Sequence, residues 1–219
     1  MIPTNKTWLR LLASMLLLLP VTALTACGVN HGEGIEETPV MEPTTGVHGD
    51  YTPARGPRDM SDRSSAVVRG TTGQPHDGRI WGASPEDPGA ITSIVVPIEV
   101  RSVEAASIAM KEGQTVHLEL FSSAGPARES IMEGLAEREG LFYLRRMPDR
   151  MSPYTEIVDP KAGRPDGEPI YQPASPEGVL ITSQDGVWSV DTGESFPSAS
   201  LADFYPDEQT FPEPKRPSG

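Results

Sequence analysis

The chain holds one cysteine, Cys27, in 219 residues. A lone thiol excludes an intramolecular disulfide and a cysteine-built zinc site, so the fold must stand on its apolar core. Aromatic residues make up only 6% of the chain. No apolar run reaches the roughly 20 residues that a membrane span needs. There are four histidines, and only His117 lies well inside the part of the chain that reads as folded. No G-x-S-x-G, H-E-x-x-H, P-loop, Rossmann or EF-hand pattern occurs, so no catalytic residue, metal site or cofactor is singled out. Basic residues are scarce too: 18 Lys and Arg stand against 31 Asp and Glu, a net charge of −13. Such a field repels nucleic acid, which is set aside as a partner.

What the chain does have, in excess, is proline and glycine: 23 and 21 residues, about a fifth of the total, where average usage gives roughly 12%. Much of this excess falls between Gly28 and Pro88, together with Glu and Thr and little apolar periodicity. That composition buries too little surface to offset chain entropy. Residues 27–88 therefore read as a long disordered spacer, with a root-mean-square span of about 40 Å. Two apolar islands, Ala66-Val67-Val68 and Ile80-Trp81, leave room for a strand from 64–82 docked on the domain that follows.

Ahead of the spacer, Lys6 and Arg10 precede the apolar run Leu11–Leu19, which Pro20 ends, and small residues lead to Cys27. A charged start, a short apolar stretch and a small-residue cleavage site describe a secretory signal over residues 1–26. Leu24-Thr25-Ala26-Cys27 resembles the lipobox of bacterial lipoproteins. The resemblance covers the first 27 residues only. It implies cleavage between Ala26 and Cys27, a diacylglycerol on the Cys27 thiol and an acylated new amino terminus. Two or three acyl chains hold a protein stably where one would be marginal. The address implied is a bacterial membrane: the outer face of the cytoplasmic membrane, or an outer membrane where the host has one. Gly28 is not the Asp that resemblance to enterobacterial lipoproteins would link with inner-membrane retention.

From about residue 89 to 193 the pattern predicts one small mostly β (α+β) domain, an antiparallel sheet or sandwich with about one helix. Val96, Ile98 and Val100 alternate with polar neighbours, and Pro97 places that strand at an edge or a bulge. Ser107–Met110 and Thr115–Phe121 read as a hairpin across Lys111–Gln114. Pro126 opens a helix carrying Ile131 and Leu135 on one face and Glu129, Glu133 and Glu137 on another, with Gly140 as its stop. Leu141–Leu144 reads as a strand, and Val179–Thr182 with Val187–Val190 as a hairpin around Asp185-Gly186. Residues 194–219 form an acidic tail dotted with Phe196, Phe204, Tyr205 and Phe211, either flexible or draped over the domain.

Two segments echo each other. Asp77-Gly78, Ile80-Trp81 and Ala83-Ser84-Pro85-Glu86 lead to Ile91-Thr92-Ser93; Asp166-Gly167, Ile170-Tyr171 and Ala174-Ser175-Pro176-Glu177 lead to Ile181-Thr182-Ser183. Either each lays one aromatic against the sheet, or the match is coincidence in a chain rich in these residues. If the echo is real, Trp81 and Tyr171 are paired binding candidates. Arg145 and Arg146, with Arg150, form the main basic cluster of an acidic chain and are candidates for an anionic ligand, a partner or the chain's own carboxylates. His117, on a strand's outer face, reads as exposed.

The function these features favour is a non-enzymatic binding or assembly module, tethered to the membrane through the Cys27 lipid, with an envelope protein as its candidate partner. Two alternatives stand beside it: an envelope hydrolase using carboxylates, and a structural surface or spacer lipoprotein.

Overall fold

Val67 and Val68 decide where the domain begins. A computed structural model describes residues 52–122, 126–148 and 156–214, all within one compact unit. A short helix, α1 (Pro57–Asp62), leads into strand β1 (Ala66–Thr72), where both valines are fully buried. Neighbouring residues of a strand face opposite sides, so β1 is covered on both: Val68 joins one apolar cluster and Val67 another. β1 pairs antiparallel with β3 (Ile91–Ala106) on one edge and β5 (Glu139–Met147) on the other. The spacer expected to run to residue 88 is thereby corrected. From Pro57 the chain is domain, and β1 is central rather than docked. Cys27 and the residues up to 51 lie outside the described residues.

β3 is long enough to serve two partners on one edge. Its second half pairs with β1 and its first half with β2 (His76–Trp81). Pro97 falls opposite the break between them at residues 73–75, where the Gly73 N–H donates to the Pro97 carbonyl at 2.7 Å. The missing proline donor thus coincides with a gap in the partner strand. On its other edge β3 pairs with β4 (Thr115–Ser122). Residues 107–114 are the connection, not the hairpin strand expected at 107–110.

β4 runs parallel to β7 (Ile170–Pro173), and β7 pairs antiparallel with β5. The ring β1-β3-β4-β7-β5-β1 therefore closes. Its interior holds Val68, Ile94, Ile98, Leu118, Leu120 and Leu144, all essentially inaccessible. Helix α2 (Pro126–Leu135), between β4 and β5, adds Ile131 and Leu135 to that cluster. Glu129, Glu133 and Glu137 are exposed, as their spacing predicts. The helix stops at Leu135 rather than at Gly140. Glu137 takes the left-handed conformation (φ 57°) that ends it, and Gly140 enters β5, where a Cβ would sit 2.6 Å from the Leu180 carbonyl oxygen.

The domain is mostly β, as the pattern predicts, with one sheet and two α-helices among the described residues; the sheet expected to be antiparallel carries one parallel pair, β4 with β7. Its five-strand cycle forms a small closed barrel, with one parallel contact and a helix between the third and fourth barrel strands. β8 (Val179–Ser183) continues along β5 beyond β7, after a 3-10 turn at Pro176–Gly178. β9 (Gly186–Ser189) and β10 (Ser195–Pro197) extend the sheet through a turn at Gln184-Asp185, close to the hairpin expected there.

A second core lies outside the barrel, on Val67, Leu141, Tyr143 and Leu180. Met60 of α1 covers it from one end of the chain, and Phe196, Leu201 and Phe204 from the other. The Tyr143 hydroxyl donates to the Phe204 carbonyl, and burial pushes its pKa well up. The described part of the tail is thus draped, not flexible. Its large side chains are spaced irregularly because they come from a strand and a 3-10 turn (Leu201–Phe204), which no single period describes. Phe142 and Tyr143 are core on opposite faces of β5, so neither forms an exposed aromatic surface. No helix among the described residues is long and apolar enough to cross a membrane.

Candidate functional site

Inward residues of β3 and β4 fill the barrel, so their neighbours Ser93, Val95, His117, Glu119 and Phe121 must face out. The chain covers this outer face itself. A bulge in β2 between Asp77 and Ile80 turns Arg79 over the face, where it is completely buried. Arg79 Nε donates to Glu119 Oε1 at 2.8 Å, and a second guanidinium nitrogen reaches Glu119 Oε2. Gln172 Nε2 donates to Glu119 Oε2 at 2.8 Å, and Ser93 Oγ lies 2.9 Å from Glu119 Oε1. The guanidinium stacks 4.8 Å from the Trp81 ring, which meets Phe121 edge-on at 5.4 Å. Arg79 Nη1, Trp81 Nε1 and His117 Nδ1 have no hydrogen-bond partner among the described residues. A carboxylate so fully engaged holds strands together and is poorly placed for acid–base work.

His117 is not exposed: only 7% of it is accessible. The loop before β7 lies over the same outer face, packed so closely on β3 that a Cβ on Gly163 (φ 77°) would lie 2.6 Å from Val95 Cγ2. Burial, first of all, lowers the His117 pKa below the ordinary 6.5; Glu168 opposes that shift, while Arg164 and His76 add to it. The unfolded chain therefore binds the proton more readily. Stability contributed by neutral His117 is full above about pH 6.5, declines as the pH falls from there toward the lowered folded value, and levels off below it. Urea titrations between pH 7.5 and 5 should show the wild-type midpoint falling more steeply than that of His117→Gln. Parallel curves would contradict this assignment.

The same loop walls an open cleft of ≈ 300 Å³ at the end of β5. Arg146, Met147 and Pro148 form one side, and the segment Pro160–Pro169 supplies Lys161, Arg164, Asp166 and Glu168. The loop holds its own shape. Arg164 Nε donates to the Glu168 carbonyl at 2.7 Å and Nη1 to the Pro160 carbonyl at 3.0 Å. Lys161 pairs with Asp166 at 2.8 Å, which raises the lysine pKa and holds the aspartate below the usual carboxylate range. Arg146 is exposed, and its side chain has no partner among the described residues. Behind it lies Tyr171, only 3% accessible. Burial raises the Tyr171 pKa, Arg146 lowers it and Glu168 raises it further.

The structure thus brings Arg146 and Tyr171 together and separates the other two candidates from them. Arg145 is exposed but alternates to the opposite face of β5 and does not line the cleft. Trp81 belongs to the Arg79 cluster. Arg150 lies outside the described residues. The internal echo is not a structural repeat either: β2 and β3 form an antiparallel pair, whereas β7 and β8 follow one another along β5. Trp81 faces outward and Tyr171 joins the barrel interior, so they are not paired sites. No local pattern in the sequence singles out the loop residues Lys161, Arg164 and Glu168; their signal is a dense run of Pro, Gly and charge between two strands. No group of three or more His, Cys, Asp or Glu among the described residues is placed to hold a metal ion. No protein-family model, curated protein or solved structure matches the chain.

Proposed function

We propose that the chain is an exported lipoprotein, anchored through Cys27, whose barrel is a non-enzymatic binding module of the bacterial envelope. The lipobox-like residues support the anchor. The observation that carries the binding reading is the cleft: a self-braced loop facing an arginine whose side chain has no partner among the described residues, in a chain of net charge −13. Cations are uncommon on this surface, and holding one in a preformed concavity is a feature of recognition. The carboxylates nearby do not favour hydrolysis. Glu119 is tied into the Arg79 pair, and Lys161 lowers the pKa of Asp166 where a general acid needs a raised one.

A photo-crosslinking side chain placed at position 168, which lines the cleft and leaves Arg146 in place, tests this in intact cells, with position 129 on the exposed face of α2 as control. A discrete adduct from position 168 and none from 129 is expected. Equal, scattered labelling from both would overturn the binding reading and favour a surface-coat role.

A further inference from the structure

We infer that the cleft takes a monoanionic carboxylate carried on a short apolar body, with the carboxylate seated on Arg146; this rests on the binding-module reading above. Three cations and two carboxylates line the space. Lys161 and Asp166 neutralise each other, and Arg164 is turned toward the carbonyls of its own loop. Arg146 is the cation whose donors are not engaged by the described residues. A guanidinium presents a planar fork that matches a carboxylate bidentately. Phosphate would fit the fork as well, but charge discriminates. A second negative charge would be brought close to Asp166 and Glu168, inside the field of an acidic protein. One negative charge balances the lining cation that the described residues leave unengaged. The remaining walls, Met147 with Pro148, Pro160 and Pro169, are apolar and rigid, suited to a few carbons beside the charge. A volume of ≈ 300 Å³ is at the small end of ligand sites, enough for a short acid or the last residues of a peptide.

Both sources offer the same chemistry, and the probes distinguish them. Ligand-observed NMR on the detergent-purified full chain at pH 7 would compare butyrate, N-acetyl-Ala-Ala acid, its C-terminal amide and inorganic phosphate. Binding of the peptide acid but not the amide is expected, with at least a tenfold loss in Arg146→Gln and no change in Arg145→Gln. Both residues are exposed, and an unchanged urea midpoint in each variant shows that the fold is retained. Butyrate binding as well as the peptide acid identifies a small acid as the source. Butyrate failing where the peptide acid binds identifies a peptide terminus. The inference is overturned if the amide matches the acid, if phosphate is preferred, if Arg146→Gln binds normally, or if no probe binds. In that last case a discrete crosslink at position 168 would still uphold a binding module, with a ligand of another class.

Discussion

Arg79→Ala should cost about 3–5 kcal/mol of unfolding free energy, because it leaves Glu119 buried without its counter-charge. Both side chains are completely inaccessible, and Gln172 and Ser93 alone would then face the carboxylate. Domains of this size are stable by about 5–15 kcal/mol, so the variant would be marginal. Glu119→Ala should be as damaging, since it strands a guanidinium. The double substitution Arg79→Met with Glu119→Leu should recover most of the loss, because replacing both members of a buried pair by apolar groups of similar volume is often neutral. Urea denaturation of the four proteins measures the comparison. A loss below 1 kcal/mol in Arg79→Ala would mean that water reaches the pair, and that the outer face of the barrel is open.

Phe204→Ala should cost about 3–5 kcal/mol, the usual range for deleting a fully buried aromatic ring. The ring is inaccessible and meets Phe196 edge-on at 5.0 Å, while the residue's carbonyl accepts the Tyr143 hydroxyl. Its loss would loosen the packing of the tail on β5, while the backbone carbonyl that accepts from the Tyr143 hydroxyl is kept. Phe211 is only partly buried, 6.3 Å from the Phe204 ring, so Phe211→Ala should cost less. A Phe204→Ala chain as stable as wild type would restore the flexible tail that composition first indicates.

These two sites show where sequence reading succeeds and where it stops. β4 is legible although both its faces are covered, because Val116, Leu118 and Leu120 alternate with the polar residues His117 and Glu119. The helix is legible through Pro126 and the i, i+4 pair Ile131 and Leu135. β1 is harder to read: with both faces covered it presents three apolar residues and then Arg, Gly and Thr, and its role is set by β5, some 70 residues later. Arg79 looks like an ordinary spacer charge; its partner, 40 residues on, becomes its partner only when a bulge turns it across β3. The tail's phenylalanines carry no period. At the candidate site, Arg146 was visible as part of a basic cluster in an acidic chain. The pairing that engages the other two lining cations, Lys161 with Asp166 and Arg164 with two carbonyls, depends on loop geometry that no local pattern encodes.

The reading as a whole depends on the tether at Cys27. Its most direct test is intact-mass and peptide analysis of the protein extracted from the membranes of cells expressing wild type or Cys27→Ser. The account predicts a wild-type chain that begins at Cys27, carries diacylglycerol on the thiol and pellets with membranes, and loss of that lipidated species in Cys27→Ser. A wild-type chain recovered soluble, with another amino terminus and a free Cys27 thiol, would contradict it.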